Sequence, residues 1–309
     1  MNTLLEQFNN HIRDELQYST NTVSAYMADL RDWARFATGN ADGDGLDPMS
    51  VTRGDIRAWV SHISRRGTSP RTVRRKISSL RAFYGYLMKF HGLAASPAED
   101  IPMPKVSKDI PVYVRPEETR AILDADVAED SFEGVRNRLI MDMFYTTGIR
   151  CSELMGLREA DVDVARGELK VLGKRNKERV VPFGSELGGA IESYRRLRDA
   201  SEATRISAKD PQAPFFVRED GRPLYRKLIY NVVHSGLEAG GAHAARLSPH
   251  VLRHSCATDM LNGGAPIASV REMLGHASLA STQVYTHVTY KDLLNNYQSA
   301  HPRALKKGG

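Results

Sequence analysis

The residues of this chain best suited to chemistry lie near its end, in the run Ser248 to Val288, SPHVLRHSCATDMLNGGAPIASVREMLGHASLASTQVYTHV. His250, Arg253 and His254 share one helical-looking stretch, His276 follows in a Leu-Gly-His turn, and Tyr285 stands nine residues beyond it. Two histidines and an arginine can hold a phosphate diester without a metal, because guanidinium grips two oxygens at once and imidazole adds a further hydrogen bond. A tyrosine at the end of the same run could attack the phosphorus so held. Two upstream residues could complete such a site. Arg150 comes just after the helix-ending Thr146-Thr147-Gly148, and Lys174 lies in the turn Gly-Lys-Arg-Asn-Lys.

Each residue also has a plainer reading. His250 and His254 are four apart, the spacing of paired zinc ligands on a helix. The residues between them are Val-Leu-Arg, no cysteine or acid nearby completes a ligand set, and an arginine in the site would repel a dication. Tyr285 is one of 12 tyrosines and by itself reads as a packing residue. His254 could cap or brace its helix. Arg150 alone would be a surface residue, and Lys174 a solvated hairpin tip. Only their combination points to phosphoryl transfer.

Positioning such a set needs a sizeable scaffold, and 309 residues allow two domains. The hydrophobic fraction of 41% and charged fraction of 26% are those of a soluble globular protein. No run approaches the apolar length of a membrane helix, so no membrane partner is expected. The opening MNTLLEQFNNHIRDEL lacks the basic start and smooth apolar core of a signal peptide. Cys151 and Cys256 form neither a framework nor a C-x-x-C pair, so a reducing cytoplasm is the expected compartment. The net charge of +6 permits nucleic-acid binding without requiring it.

Residues 1–96 are expected to form a helical domain of four amphipathic helices. Their apolar stripes run through Leu4, Leu5, Phe8, Ile12 and Leu16; then Val23, Tyr26, Met27, Leu30 and Trp33; then Ile56, Trp59, Val60 and Ile63; then Val73, Ile77, Leu80 and Leu87. Thr52 before Asp55 resembles a capping box, and Ser69-Pro70 supplies a cap and a first-turn proline. No acidic residue occurs from Ile56 to Ala98. On the fourth helix Arg71, Arg74, Arg75, Lys76 and Arg81 avoid the apolar stripe, which is the footprint of a polyanion partner. Residues 97–112, with Pro97, Pro102, Pro104 and Pro111, read as a semi-extended linker. The second domain, 113–309, is expected to hold a buried helix from Arg136 to Tyr145 ending at a Gly148 C-cap, and a helix from Ser152. A small antiparallel sheet across residues 161–183 follows, then helices near 185–200 and 225–239, with a strand-like PFFV between them.

The chain resembles the tyrosine site-specific recombinases, and within them the Xer recombinases of bacteria. The resemblance rests on TGIRCSEL around Arg150, the hairpin GKRNKER around Lys174, SPHVLRH, LGH, VYTHV and the ending His301-Pro302-Arg303. It implies a mainly α fold with a small antiparallel β-sheet. An all-helical, SAM-like core-binding domain would precede a mixed α/β catalytic domain, the two forming a C-shaped clamp on DNA. The implied roles are Tyr285 as nucleophile, Arg150 and Arg253 as the phosphate clamp, and His250 in acid–base work. Lys174 would protonate the leaving 5′ oxygen, and His276 would bond the phosphate. Neither cofactor nor metal is implied. The implied partners are double-stranded DNA with a specific recombination site and a tetrameric synapse, formed with itself or with a paralogous recombinase of the XerC/XerD kind. A septal DNA translocase of FtsK type would be a further partner, and the C-terminal helix a protomer–protomer contact. Resolution of chromosome dimers is the function this implies. Integrase or invertase work for a mobile element is its nearest alternative, and a non-catalytic DNA-binding protein a third.

Overall fold

The computed structural model describes residues 2–105, 119, 122–123, 131–173, 177–205, 210–241, 247–275 and 290–304. The chain divides into two compact units, Met1–Asp109 and Ile110–Gly309.

In the first unit α1 (Asn2–Asn10) runs on into a π-helical turn, His11–Glu15, and is followed by α2 (Thr20–Thr38), α3 (Arg53–Arg65) and α4 (Pro70–Phe90). The caps are those the sequence suggests. Ser19 and Ser69 accept from the third residue beyond them. Thr52 and Asp55 exchange bonds of 2.9 and 3.3 Å, a complete capping box. The apolar stripes meet around Trp33, Trp59, Phe83 and Tyr84, all at most 1% exposed. Ala98 and Ile101 join this core, so the first stretch of the expected linker packs on the unit. Arg81 holds it there, donating to the carbonyls of Ala98, Glu99 and Ile101 at 3.1, 2.7 and 2.9 Å.

The second unit is built on α5 (Phe132–Thr147), whose residues are buried on most sides. Around it lie α6 (Cys151–Met155), the strands β1 (Val162–Asp163), β2 (Glu168–Leu172) and β3 (Glu178–Pro182), and α7 (Ser185–Ala200). Then come α8 (Arg226–Ala239), α9 (Pro249–Asn262), α10 (Ile267–Leu274) and α11 (Tyr290–Ala300). The sheet is antiparallel in the order β1-β2-β3, with Leu169 opposite Val181 and Val171 opposite Arg179. The stretch PFFV forms no regular strand, only isolated bridges of Arg158 with Pro214 and of Val217 with Pro223. Proline has no N–H to extend a ladder, and Phe215 and Phe216 are buried in the core instead. A helix that Pro116 would open from its first turn falls largely outside the described residues.

α11 packs on its own unit. Leu293, Tyr297 and Ala300 are buried in the same core as α5, and Asn296 donates to Ser269 at 2.8 Å. The His301 ring stacks on Tyr297 at 5.0 Å, and Arg303 pairs with Asp142 at 3.0 Å. Among the described residues no helix is long and apolar enough to cross a membrane.

Candidate active site

The site is organised by the C-terminal end of α10. A helix end leaves carbonyl oxygens without intrahelical partners and carries partial negative charge. Here three consecutive carbonyls are taken by three arginines from three other elements. Arg179 of β3 donates Nε to Met273 at 2.8 Å, Arg253 of α9 donates to Leu274 at 2.6 Å, and Arg150 donates to Gly275 at 2.7 Å.

Arg150 is the residue before α6, and its position follows from two glycines. Gly148 ends α5 at φ +60°, where a Cβ would lie 2.5 Å from Leu274 Cδ2, so the chain can turn only with glycine there. Gly275 ends α10 at φ +63°, where a Cβ would sit 3.1 Å from the Arg179 guanidinium. The Arg150 backbone N–H donates to Glu153 Oε2 at 2.7 Å and its side chain to Oε1 at 2.8 Å. Arg179 closes on the same carboxylate with two further bonds of 2.8 Å. Burial works to raise the Glu153 carboxyl. The hydrogen bonds and charge of Arg179, then the two bonds from Arg150, outweigh it and hold the group down at about 2. Glu153 is therefore an anion at any physiological pH.

Arg253 is arranged differently. It is 7% exposed, and its side-chain bonds go to two carbonyls, those of Gly148 and Leu274. Among the described residues it makes no ion pair. Burial, then the Arg150 charge, pull its guanidinium down to about 10, against the favourable charge of Glu153. It stays a cation at neutral pH, buried without a carboxylate of its own. Arg150 and Arg253 each commit two side-chain N–H groups to these contacts, leaving three of a guanidinium's five without a partner among the described residues.

His250 sits one turn before Arg253 on α9, at the protein surface. Partial burial, followed by the charges of Arg253, His254, Arg150 and Arg226, holds its imidazole below the ordinary histidine range. It is a neutral base at neutral pH, facing a cluster of cations. His254 is exposed, and no hydrogen bond braces it among the described residues. Lys174, His276 and Tyr285 lie outside the described residues. The hairpin that carries Lys174 closes at Gly173 N–H to Lys177 O, 2.8 Å, and His276 directly follows the Gly275 cap.

Sequence reading missed Glu153 and Arg179. A signal for Arg179 was there: it lies opposite buried Val171, so the alternation of β3 turns a charged residue inward. Glu153 stands three residues after Arg150, the position from which an acid reaches back to its cap.

In the first unit three of the expected DNA contacts are already engaged within the unit. Arg75 bonds Asp29 and the Ala25 carbonyl, Lys76 bonds Asp32 at 2.6 Å, and Arg81 holds the turn at Ala98–Ile101. Arg71 and Arg74 are exposed, and their side chains have no hydrogen-bonding or ionic partner among the described residues.

The pattern of the Phage integrase family matches residues 113–292, and that of the phage integrase N-terminal SAM-like domain matches residues 5–91. The chain belongs to the phage integrase family and is a tyrosine recombinase, an enzyme of DNA strand cleavage and rejoining. It is 36% identical to tyrosine recombinase XerC of Chlorobaculum parvum, over 97% of this chain and 94% of that protein. To tyrosine recombinase XerC of Myxococcus xanthus it is 37% identical, over 98% and 99%. Among solved structures it resembles XerH site-specific recombinase bound to palindromic difH substrate, a post-cleavage complex, with TM-score 0.67 at 19% identity over 89% of this chain and 77% of that one. The lambda integrase(75-356) dimer bound to a COC' core site gives TM-score 0.63 at 15% identity over 93% and 99%. These two likenesses speak for the fold.

Proposed function

We propose that this enzyme cleaves one DNA strand at a time at a dif-type site and exchanges it through a Holliday junction, resolving chromosome dimers before cell division. The observation that carries the chemistry is Arg253, a buried cation that bonds carbonyls and makes no ion pair among the described residues. A buried charge without a bonded carboxylate is costly, and a scissile phosphate would supply a direct anionic partner. Arg150, whose guanidinium bonds the next carbonyl of the same turn, would grip the same phosphate. Charge that builds on the nonbridging oxygens then meets two fixed guanidiniums, the work metal ions do in other phosphoryl-transfer enzymes.

In this reading the Tyr285 phenol oxygen attacks phosphorus as its proton passes to neutral His250. The P–O5′ bond breaks, and Lys174 gives a proton to the leaving 5′ oxygen. His276 hydrogen-bonds the phosphate. The product is a 3′-phosphotyrosyl link and a 5′ hydroxyl. Bond energy is conserved in that ester, so religation needs neither nucleotide nor metal. The XerC relatives support chromosome-dimer resolution over mobile-element work. Duplex DNA is the partner, with a paralogous recombinase and a septal translocase as further expected partners. Exchange of α11 onto a neighbouring protomer would couple the subunits.

A nicked suicide duplex carrying the dif-type site should become covalently attached to the protein, as a species of higher mass on a denaturing gel. Tyr285→Phe should abolish attachment and keep DNA binding. Attachment by Tyr285→Phe at the wild-type rate would refute the assignment.

A further inference from the structure

The three arginines on the α10 carbonyls are not equivalent, and the difference identifies a residue of another kind. Arg150 and Arg253 each keep three N–H groups without a partner among the described residues. Arg179 spends Nε on Met273 and both terminal nitrogens on Glu153, and its side chain is 11% exposed. It is poorly placed to bind substrate. What it does instead is join three segments. Its strand continues the hairpin that carries Lys174, its fork grips the carboxylate that orients Arg150, and its Nε fixes the helix end that leads into His276.

We infer that Arg179 is a positioning residue for strand cleavage, setting Arg150 through Glu153 and setting the α10 turn through the Met273 carbonyl. Planarity is the reason it must be arginine. A guanidinium can present two parallel N–H groups to a carboxylate while a third points to a carbonyl, which a lysine ammonium on a flexible stem cannot hold together. The contact with Gly275 adds an independent constraint. A Cβ there would meet Nη1, Cδ and Cζ of Arg179 at 3.1, 3.2 and 3.2 Å, so the turn rests directly on this side chain. Removing Arg179 would leave Glu153, 2% exposed at its side chain, with Arg150 as its one bonded cation among the described residues. The two would then draw together, and the Arg150 fork would turn from the phosphate toward its own carboxylate.

This inference rests on the clamp reading given above, and the test separates the two. Wild type, Arg179→Met and Arg179→Lys are compared in single-turnover covalent attachment to nicked dif-type duplexes. One duplex carries a normal scissile phosphate, the other a methylphosphonate, in which a methyl group replaces one nonbridging oxygen and removes the charge. Both variants should attach about 100-fold more slowly to the phosphate with DNA affinity unchanged. On the methylphosphonate, which asks less of a cationic clamp, the gap to wild type should shrink toward unity. A general folding defect would slow both substrates equally. Equal slowing, or full activity of Arg179→Lys on the phosphate, overturns the inference. Thermal unfolding accompanies each assay, and if Arg179→Met does not fold, Arg179→Lys carries the comparison. Absence of covalent product from wild type on either duplex would sink the recombinase mechanism and this inference with it. Wild-type product with undiminished variants would sink the inference alone.

Discussion

Two buried arginines of the second unit, Arg198 on α7 and Arg253 on α9, are held in opposite ways. Arg198 is 2% exposed and lies between two carboxylates, Asp199 at 2.7 Å and Glu159 at 2.8 Å. Burial opposes its charge, but the bonds from Asp199 and Glu159 outweigh burial and raise its pKa. Arg253 is 7% exposed and bonds two carbonyls, and burial pulls it down to about 10. Equal burial therefore does not mean equal purpose. An arginine surrounded by carboxylates is a finished ion pair that ties helices together. An arginine bonded to dipoles has its geometry set while, among the described residues, no carboxylate pairs with it directly, and that is what an anion site requires.

The contrast breaks most visibly at Arg253. Arg253→Gln should lower the rate of covalent attachment to DNA by on the order of 10³-fold. Stability in urea should hold or rise, because an unpaired buried cation has been removed. A variant that unfolds readily yet cleaves normally per folded molecule would invert the comparison. Arg198→Met should behave in the opposite sense. Its loss takes one of two arginines from Glu159, which keeps Arg195 at 2.7 Å, and stability should fall by about 2 kcal/mol, less than for a fully enclosed pair because both acids reach solvent. Attachment per folded molecule should be unchanged. Urea midpoints and single-turnover rates on the same preparations give both readings.

Much of this was legible locally. The Thr52–Asp55 box, the Gly148 cap and the alternation around β2 are decided by residues a few positions apart, and spacing reveals them. The capping arithmetic that found Thr52–Asp55 also applies to Arg150 and Glu153, which adds a reason for the acid beyond charge. What spacing does not reveal is a partner from far along the chain. Arg179 meets Met273 across 94 positions and Arg150 meets Gly275 across 125. No periodicity brings those segments together; the packing of α10 against β3 and α9 does. Partners of the fourth-helix basic face are equally invisible to spacing. That face is unmixed along its own sequence, but Asp29 and Asp32 on α2 answer Arg75 and Lys76 from 46 and 44 positions earlier.

That answer divides the basic residues of α4 into two groups, and the smallest predicted effect tests the division. Arg71 and Arg74 have no partner to give up among the described residues, so a phosphate they touch is net gain in charge neutralisation. Arg75 would have to leave Asp29, which is 2% exposed and would then keep only the longer contact with Lys76 at 3.5 Å among the described residues. Each phosphate contact releases counterions and steepens the fall of affinity with salt by about 1 unit in the log–log slope. Arg71→Ala with Arg74→Ala should therefore flatten the slope by about 2 while leaving thermal stability alone. Arg75→Ala should leave the slope nearly as steep and lower the melting temperature. Affinity for one duplex measured across a salt series checks both. If Arg75→Ala flattened the slope as much as the double variant, its ion pair with Asp29 would have to open when DNA binds. The first unit's cations would then be as available to an anion as Arg253 is in the second.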